Sequence, residues 1–69
     1  MERQSVVSSN ISSIGYDNDD SVLEVEFNNG AIYQYFDVPE HIHEEIMVAE
    51  SIGGYLARNV KGHFRFSRI

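Results

Sequence analysis

The chain of 69 residues has no cysteine, no tryptophan, a single proline and five basic residues. Without cysteine there is no disulfide to staple a small fold, and no thiolate to ligate a metal or attack a substrate. The absence fits a reducing compartment, and the expected location is the cytoplasm. No apolar run approaches the roughly 20 residues that a membrane helix needs, and no charged-then-apolar leader opens the sequence. The expectation is a soluble protein with no membrane partner. Basic residues are outnumbered by 11 acidic ones, giving a net charge of −6. Such a chain repels phosphate backbones at long range. The imbalance is uneven, because Arg58, Lys61, Arg65 and Arg68 lie close together and no Asp or Glu follows Glu50. Two readings stay open: this cationic end pairs with acids of the body, or it presents a local anion-binding face.

The length sets one domain over residues 1–69, which buries only about 60% of its unfolded surface. Residues 1–5 are polar and read as a flexible end. Val6 to Asn10 is either extended or wrapped along an edge, and Ile11 to Tyr16 reads as a first strand. Asp17-Asn18-Asp19-Asp20-Ser21 is a turn of short side chains that bond their own backbone. From Val22 to Phe27 the alternation is clean: Leu23, Val25 and Phe27 on one face, Glu24 and Glu26 on a solvated one.

Asn28-Asn29-Gly30 then turns the chain into Tyr33-Gln34-Tyr35. A two-residue turn pairs Phe27 with Ile32 and puts Ile32, Gln34 and Phe36 on the Leu23 face. A three-residue loop pairs Phe27 with Ala31 and puts Tyr33 and Tyr35 there instead. A one-residue slip exchanges every side chain between faces. The longer loop is preferred, and the role of both tyrosines depends on it. Pro39 opens a helix at its first position, with Ile42, Ile46, Ala49 and Gly53 as its inward stripe. Ser51 caps a second helix carrying Ile52, Tyr55, Leu56 and Val60, and Gly62 ends it. The Gly53-Gly54 pair suggests close packing against the sheet or the first helix. His63 to Ser67 reads as a last strand, with Phe64 and Phe66 on one face and His63 and Arg65 on the other. The expected class is α+β: a small, mainly antiparallel sheet in the order βββααβ, with two short helices on one face.

Catalytic chemistry finds no foothold in these residues. His41 and His43 point some 200° apart on a helix, which does not make a metal site, and His41 with Glu45 supplies two ligands at most. Asp17, Asp19 and Asp20 resemble the start of a calcium loop, but Val22 and Asn28 stand where it needs glycine and glutamate. No serine sits in a nucleophile elbow. Ser51-Ile52-Gly53-Gly54 lacks the Gly-Lys-Ser/Thr of a phosphate loop. The protein is expected to be no enzyme and to use no metal or cofactor. The aromatic residues Tyr33, Tyr35, Phe36, Phe64 and Phe66 are core material in a fold this small. On an open sheet they would instead stack unpaired bases, with arginines beside them.

An ordered set of residues resembles the KTSC domain, a segment found at the C-terminus of some lysyl-tRNA synthetases and as a stand-alone protein. The set comprises Ser8-Ser9-Asn10-Ile11, Ile14-Gly15-Tyr16-Asp17, Leu23 to Phe27 with Gly30, Tyr33-Gln34-Tyr35 with Val38-Pro39, Ala49-Glu50-Ser51 with Gly54-Tyr55, then Val60 and Phe64-Arg65-Phe66. The resemblance runs from Val6 to the end. Leu56-Ala57 stands where the family suggests Phe-Asn, and Phe64 and Phe66 replace tyrosines. The resemblance implies no assigned activity, and its synthetase setting suggests RNA. The sequence therefore reads as a non-catalytic binding module with RNA as the partner. Its contacts would be Arg58, Lys61, Arg65, Arg68, Tyr33 and Tyr35. The alternative is a domain that binds another protein or its own copy through a sheet edge or an aromatic patch.

Overall fold

Alternation in β3 (Val22–Phe27) and the loop that follows it decide the architecture. In the computed structural model, which describes residues 1–69, β3 pairs antiparallel with β4 (Ile32–Tyr35), Val25 opposite Tyr33 and Leu23 opposite Tyr35. The Phe27 N–H donates to the Ala31 carbonyl at 2.8 Å and the Gly30 N–H to the Phe27 carbonyl at 2.9 Å. This is the three-residue loop. Tyr33 and Tyr35 therefore share a face with Leu23, Val25 and Phe27.

On the other side of β3 lies β2 (Ile11–Asp17), with Ile14 opposite Val25 and Tyr16 opposite Leu23. A shift in register between Ile11 and Ser13 lets Ile11 join Ile14 on the same face, although they stand three positions apart. Helices α1 (Glu40–Met47) and α2 (Ile52–Asn59) lay Ile46 and Leu56 on that face, and Val60 follows. These side chains close a core with Ile11, Ile14, Leu23, Val25, Tyr35 and Val38. Burying each of the larger aliphatic side chains stabilises the fold by roughly 1.5–3 kcal/mol.

Two contacts fix the helices to the sheet and to each other. The Tyr16 hydroxyl donates to the Val38 carbonyl at 2.5 Å, and its ring stacks on His43 with centroids 5.1 Å apart. The Tyr55 hydroxyl on α2 donates to Glu45 Oε1 on α1 at 2.6 Å. Desolvation and that carboxylate push the Tyr55 phenol up to about 12. No helix is long and apolar enough to cross a membrane.

The strand order departs from expectation. Four strands precede the helices, because Arg3–Ser5 forms β1 against β2, and the order is ββββααβ. Nothing apolar marks Arg3-Gln4-Ser5 as a strand; its reason lies across the sheet. Gly15 faces Arg3, and a Cβ there would come within 2.6 Å of the Glu2 carbonyl oxygen. The missing side chain lets the N-terminal backbone close on the sheet. Arg3 then donates from Nε to Ser13 Oγ at 3.1 Å and from Nη1 to Glu24 Oε2 at 2.5 Å.

Glu24 is consequently buried, not solvated, and Gln34 Nε2 donates to its other oxygen at 2.9 Å. Desolvation alone would raise the Glu24 carboxyl. The hydrogen bonds from Gln34 and Arg3, with the Arg3 charge, outweigh it and hold the carboxyl below its ordinary value.

Smaller departures concern element ends. Pro39 is the N-cap of α1, one residue before the first helical position. Ala49 and Gly53 lie outside α1, and Gly53, the second residue of α2, stands beside the Asn10 amide, not against the sheet or α1. The last strand, β5, is Phe66–Arg68, with Phe66 opposite Tyr35 and Arg68 opposite Tyr33. All five strands follow chain order in space, β1 to β5.

Two outcomes follow from the β1 side. Gly15→Ala should lower stability by about 1–3 kcal/mol, as overpacking does, seen as an earlier urea midpoint with an unchanged slope. The Glu24 carboxylate is harder to protonate folded than unfolded. Its stabilising contribution is complete above the ordinary value of 4.5 and is lost as pH falls through the lower folded value. Between about pH 6 and about pH 3, wild type should lose more of its urea midpoint than Glu24→Gln, which lacks this titration.

Candidate binding groove

Two helices of eight residues each do not cover the whole apolar face. They close over Ile14, Leu23 and Val25 and leave the β4–β5 end open, where Phe66 is 59% exposed and Tyr33 half-buried. The opening is a groove of about 690 Å³ between the hairpin loop, the β1–β2 loop, the end of α2 and β5.

Its floor is aromatic. Phe27 meets Tyr33 edge-on at 5.6 Å, and Tyr33 and Tyr35 each meet Phe66 at a 41° tilt, 5.8 and 5.9 Å away. Tyr35 is buried at the inner end. Its burial, with the charge of a Tyr33 phenolate second, raises its phenol above the ordinary 10.0. Tyr33 lies toward the open side of the groove, and Tyr35 stands behind it.

The rim is cationic and amide-rich. Lys61, just past α2, holds its Nζ 5.5 Å from the Phe27 ring centroid. Arg68 projects from β5 on the face that carries Tyr33, its partner across the ladder. Neither belongs to an ion pair. Asn10 and Asn29 line the rim from the two loops. None of the 15 lining residues is acidic.

The six residues singled out from the sequence divide. Tyr33, Tyr35, Lys61 and Arg68 come together at the groove. Arg58 does not; it is exposed on α2, with its guanidinium beside Gly54. Arg65 does not either; it pairs with Asp37 at 2.7 Å and lies 5.8 Å from the Phe36 ring centroid, away from the groove lining. Of the cationic end, one arginine is thus tied to an acid, while Arg58, Lys61 and Arg68 belong to no ion pair. Phe27, Asn10 and Asn29 complete the site without having been marked. Phe27 was within reach, since the three-residue loop places it beside Tyr33. Asn10, a loop residue, carries no such signal.

Elsewhere, polar groups are occupied structurally. Asp17 Oδ1 accepts from the N–H groups of Asp19 and Asp20, at 2.9 and 3.3 Å, as a turn residue does. His63 Nε2 lies 3.0 Å from the Arg58 carbonyl oxygen. No three His, Asp or Glu side chains converge.

Comparison with known proteins agrees with this architecture. The family model described as KTSC domain matches residues 7–64. The crystal structure of a KTSC domain protein from Yersinia pestis superposes with a TM-score of 0.93 at 45% identity, over 99% of this chain and 96% of that one. An uncharacterized protein of Stutzerimonas stutzeri is 39% identical over 70 residues, 100% of this chain and 99% of its own length. The lysine–tRNA ligase of Nostoc punctiforme is 33% identical over 59 residues, 86% of this chain but 10% of the ligase. Phe66 and Arg68 lie just beyond the end of the family match.

The loop that shapes the groove supplies a direct check. Gly30 has φ +92°, and a Cβ there would meet nothing within 4 Å. Gly30→Ala should therefore destabilise through the backbone alone, by about 1–2 kcal/mol, measured by urea unfolding.

Proposed function

The chain belongs to the KTSC domain family, and from that premise we propose that it is a non-catalytic module that binds single-stranded RNA in the groove. One observation carries the reading. The chain has 11 acidic residues, yet none lines the groove, while Lys61 and Arg68 stand there without carboxylate partners. An anionic protein that keeps one face clear of acid suits an anionic ligand. The aromatic floor suits a ligand that is also planar, since unstacked bases lie on rings with little regard to their identity. Tyr33 and Phe66 stack bases, and Lys61 and Arg68 hold phosphates. Arg58 and Arg65 add only long-range attraction. A protein named for tRNA, the Nostoc punctiforme ligase, carries a similar segment over 10% of its length. That supports RNA as the ligand and the cytoplasm as the place, and aminoacylation itself is not carried over.

A second reading rests on β5. It is an edge strand with exposed residues throughout, Phe66 at 59% and Ile69 beside it at 63%. An open edge next to apolar surface suits pairing with a second copy of the chain. Sedimentation that shows a monomer at every concentration would end that reading.

Salt tests the first. With two phosphates neutralised, log K for tRNA should fall against log salt with a slope of about −1.4, at about 0.7 per contact for a single strand. Lys61→Ala or Arg68→Ala should each remove about 0.7 of that slope, whereas Arg58→Ala and Arg65→Ala should leave it unchanged. A flat salt response, or a slope indifferent to Lys61 and Arg68, overturns the proposal.

A further inference from the structure

We infer that Asn10 selects the base the groove accepts, with adenine preferred, an inference that rests on the single-stranded RNA reading above. Stacking cannot select, because every base has a π face and the rings of Tyr33 and Phe66 accept any of them. Selection needs a polar group at the rim with hydrogen-bonding capacity to spare.

The rim amides differ in that respect. Asn28 is committed to the fold: its Oδ1 accepts from Ser12 Oγ at 2.6 Å and its Nδ2 donates to the Ser9 carbonyl at 2.9 Å. Asn29 Oδ1 accepts from the Ala31 N–H at 3.0 Å, which ties its amide to the loop and leaves its oxygen one lone pair to spare. Asn10 is anchored through its backbone instead. Its N–H donates to Ser8 Oγ at 3.3 Å and its carbonyl accepts from the Asn28 N–H at 2.8 Å. Its side-chain amide makes no hydrogen bond within the protein, so donor and acceptor are both free on a fixed mount. Space is kept for that amide by Gly53, where a Cβ would stand 3.3 Å from Asn10 Nδ2.

An amide offers one donor and one acceptor side by side. Adenine meets that pair on its Hoogsteen edge, with N6–H₂ and N7, as asparagine does in reading adenine. The Watson–Crick edge of adenine, N6–H₂ and N1, matches as well. Guanine answers with two acceptors on its Hoogsteen edge and matches the amide on its Watson–Crick edge through O6 and N1–H, and cytosine and uracil present one matching edge on a smaller ring. Adenine can thus engage Asn10 in either orientation on the floor.

The test is fluorescence anisotropy of the full chain with labelled RNA hexamers of A, C and U, beside the tRNA titration. Wild type should bind the A hexamer about tenfold more tightly than the other two, the lower range for one paired amide–base contact. Asn10→Ala should remove most of the A preference, weakening the A hexamer far more than the other two, and leave the salt slope in place. Its folding is checked by thermal melting, and its backbone bonds are unaffected by the change. Gly53→Ala, which crowds the amide, should reduce the A preference without abolishing binding. Equal binding of all three hexamers by wild type, or an A preference that survives Asn10→Ala intact, overturns the inference and leaves the RNA reading standing. Silence from every hexamer overturns it too, and the tRNA titration then shows whether the RNA reading fails with it.

Discussion

The left-handed backbone of one glycine governs which side of this sheet is apolar. Gly30 at φ +92° closes a three-residue loop, so that Phe27 faces Ala31 and the two tyrosines turn toward Leu23 and Val25. A loop shorter by one residue would send Tyr33 and Tyr35 to the face of Glu24 and Glu26. It would also remove the ring against which Phe66 packs, and with it the contact that gives β5 a place on the apolar side. Core, aromatic floor and position of the last strand are thus consequences of one turn.

The opposite face obeys a different constraint. Its centre is a carboxylate, Glu24, which burial would make costly if it stood alone. Arg3 satisfies it from β1, reaching across Gly15 of β2, and Gln34 from the adjacent β4, and Ser13 donates to Glu26 at 2.9 Å alongside. The buried charge converts a polar face into a specific one, because only the observed register on both sides of β3 brings Arg3 and Gln34 to the same carboxylate. The sheet is therefore held in register twice, by hydrocarbon on one face and by a charge network on the other.

What was legible in the sequence followed from periodicity and from residues with special backbones. Alternation in Leu23–Phe27, the Asn-Asn-Gly loop, the proline before α1, the Ser51 cap and the Gly62 stop are local signals, and each element stands within a residue or two of where they point. β1 was illegible because Arg3-Gln4-Ser5 has no apolar face; its stabilising partners, Gly15 and Glu24, lie in other strands. The sequence pattern starts the last strand three residues early and ends it one residue early for a related reason. No turn fixes its register, which comes from Tyr33 and Tyr35 across the ladder. The same gap explains the mixed outcome for the cations. Sequence proximity grouped Arg58, Lys61, Arg65 and Arg68, but a strand alternates and a helix rotates, so neighbours in the chain reach different surfaces.

Strand order has one further consequence, for the sequence of events in folding and opening. β2, β3 and β4 each pair with the strand before them across a short connection, a local topology that closes quickly. β5 alone must wait for two helices to form before it reaches β4, and it arrives with three exposed residues and a single neighbour. Its docking therefore comes late, and a strand held by so few contacts opens at a free energy below that of the whole domain. Phe66 and Arg68 form one wall of the groove, so whatever fills the groove also closes its ladder, and occupancy and order of the last strand rise together.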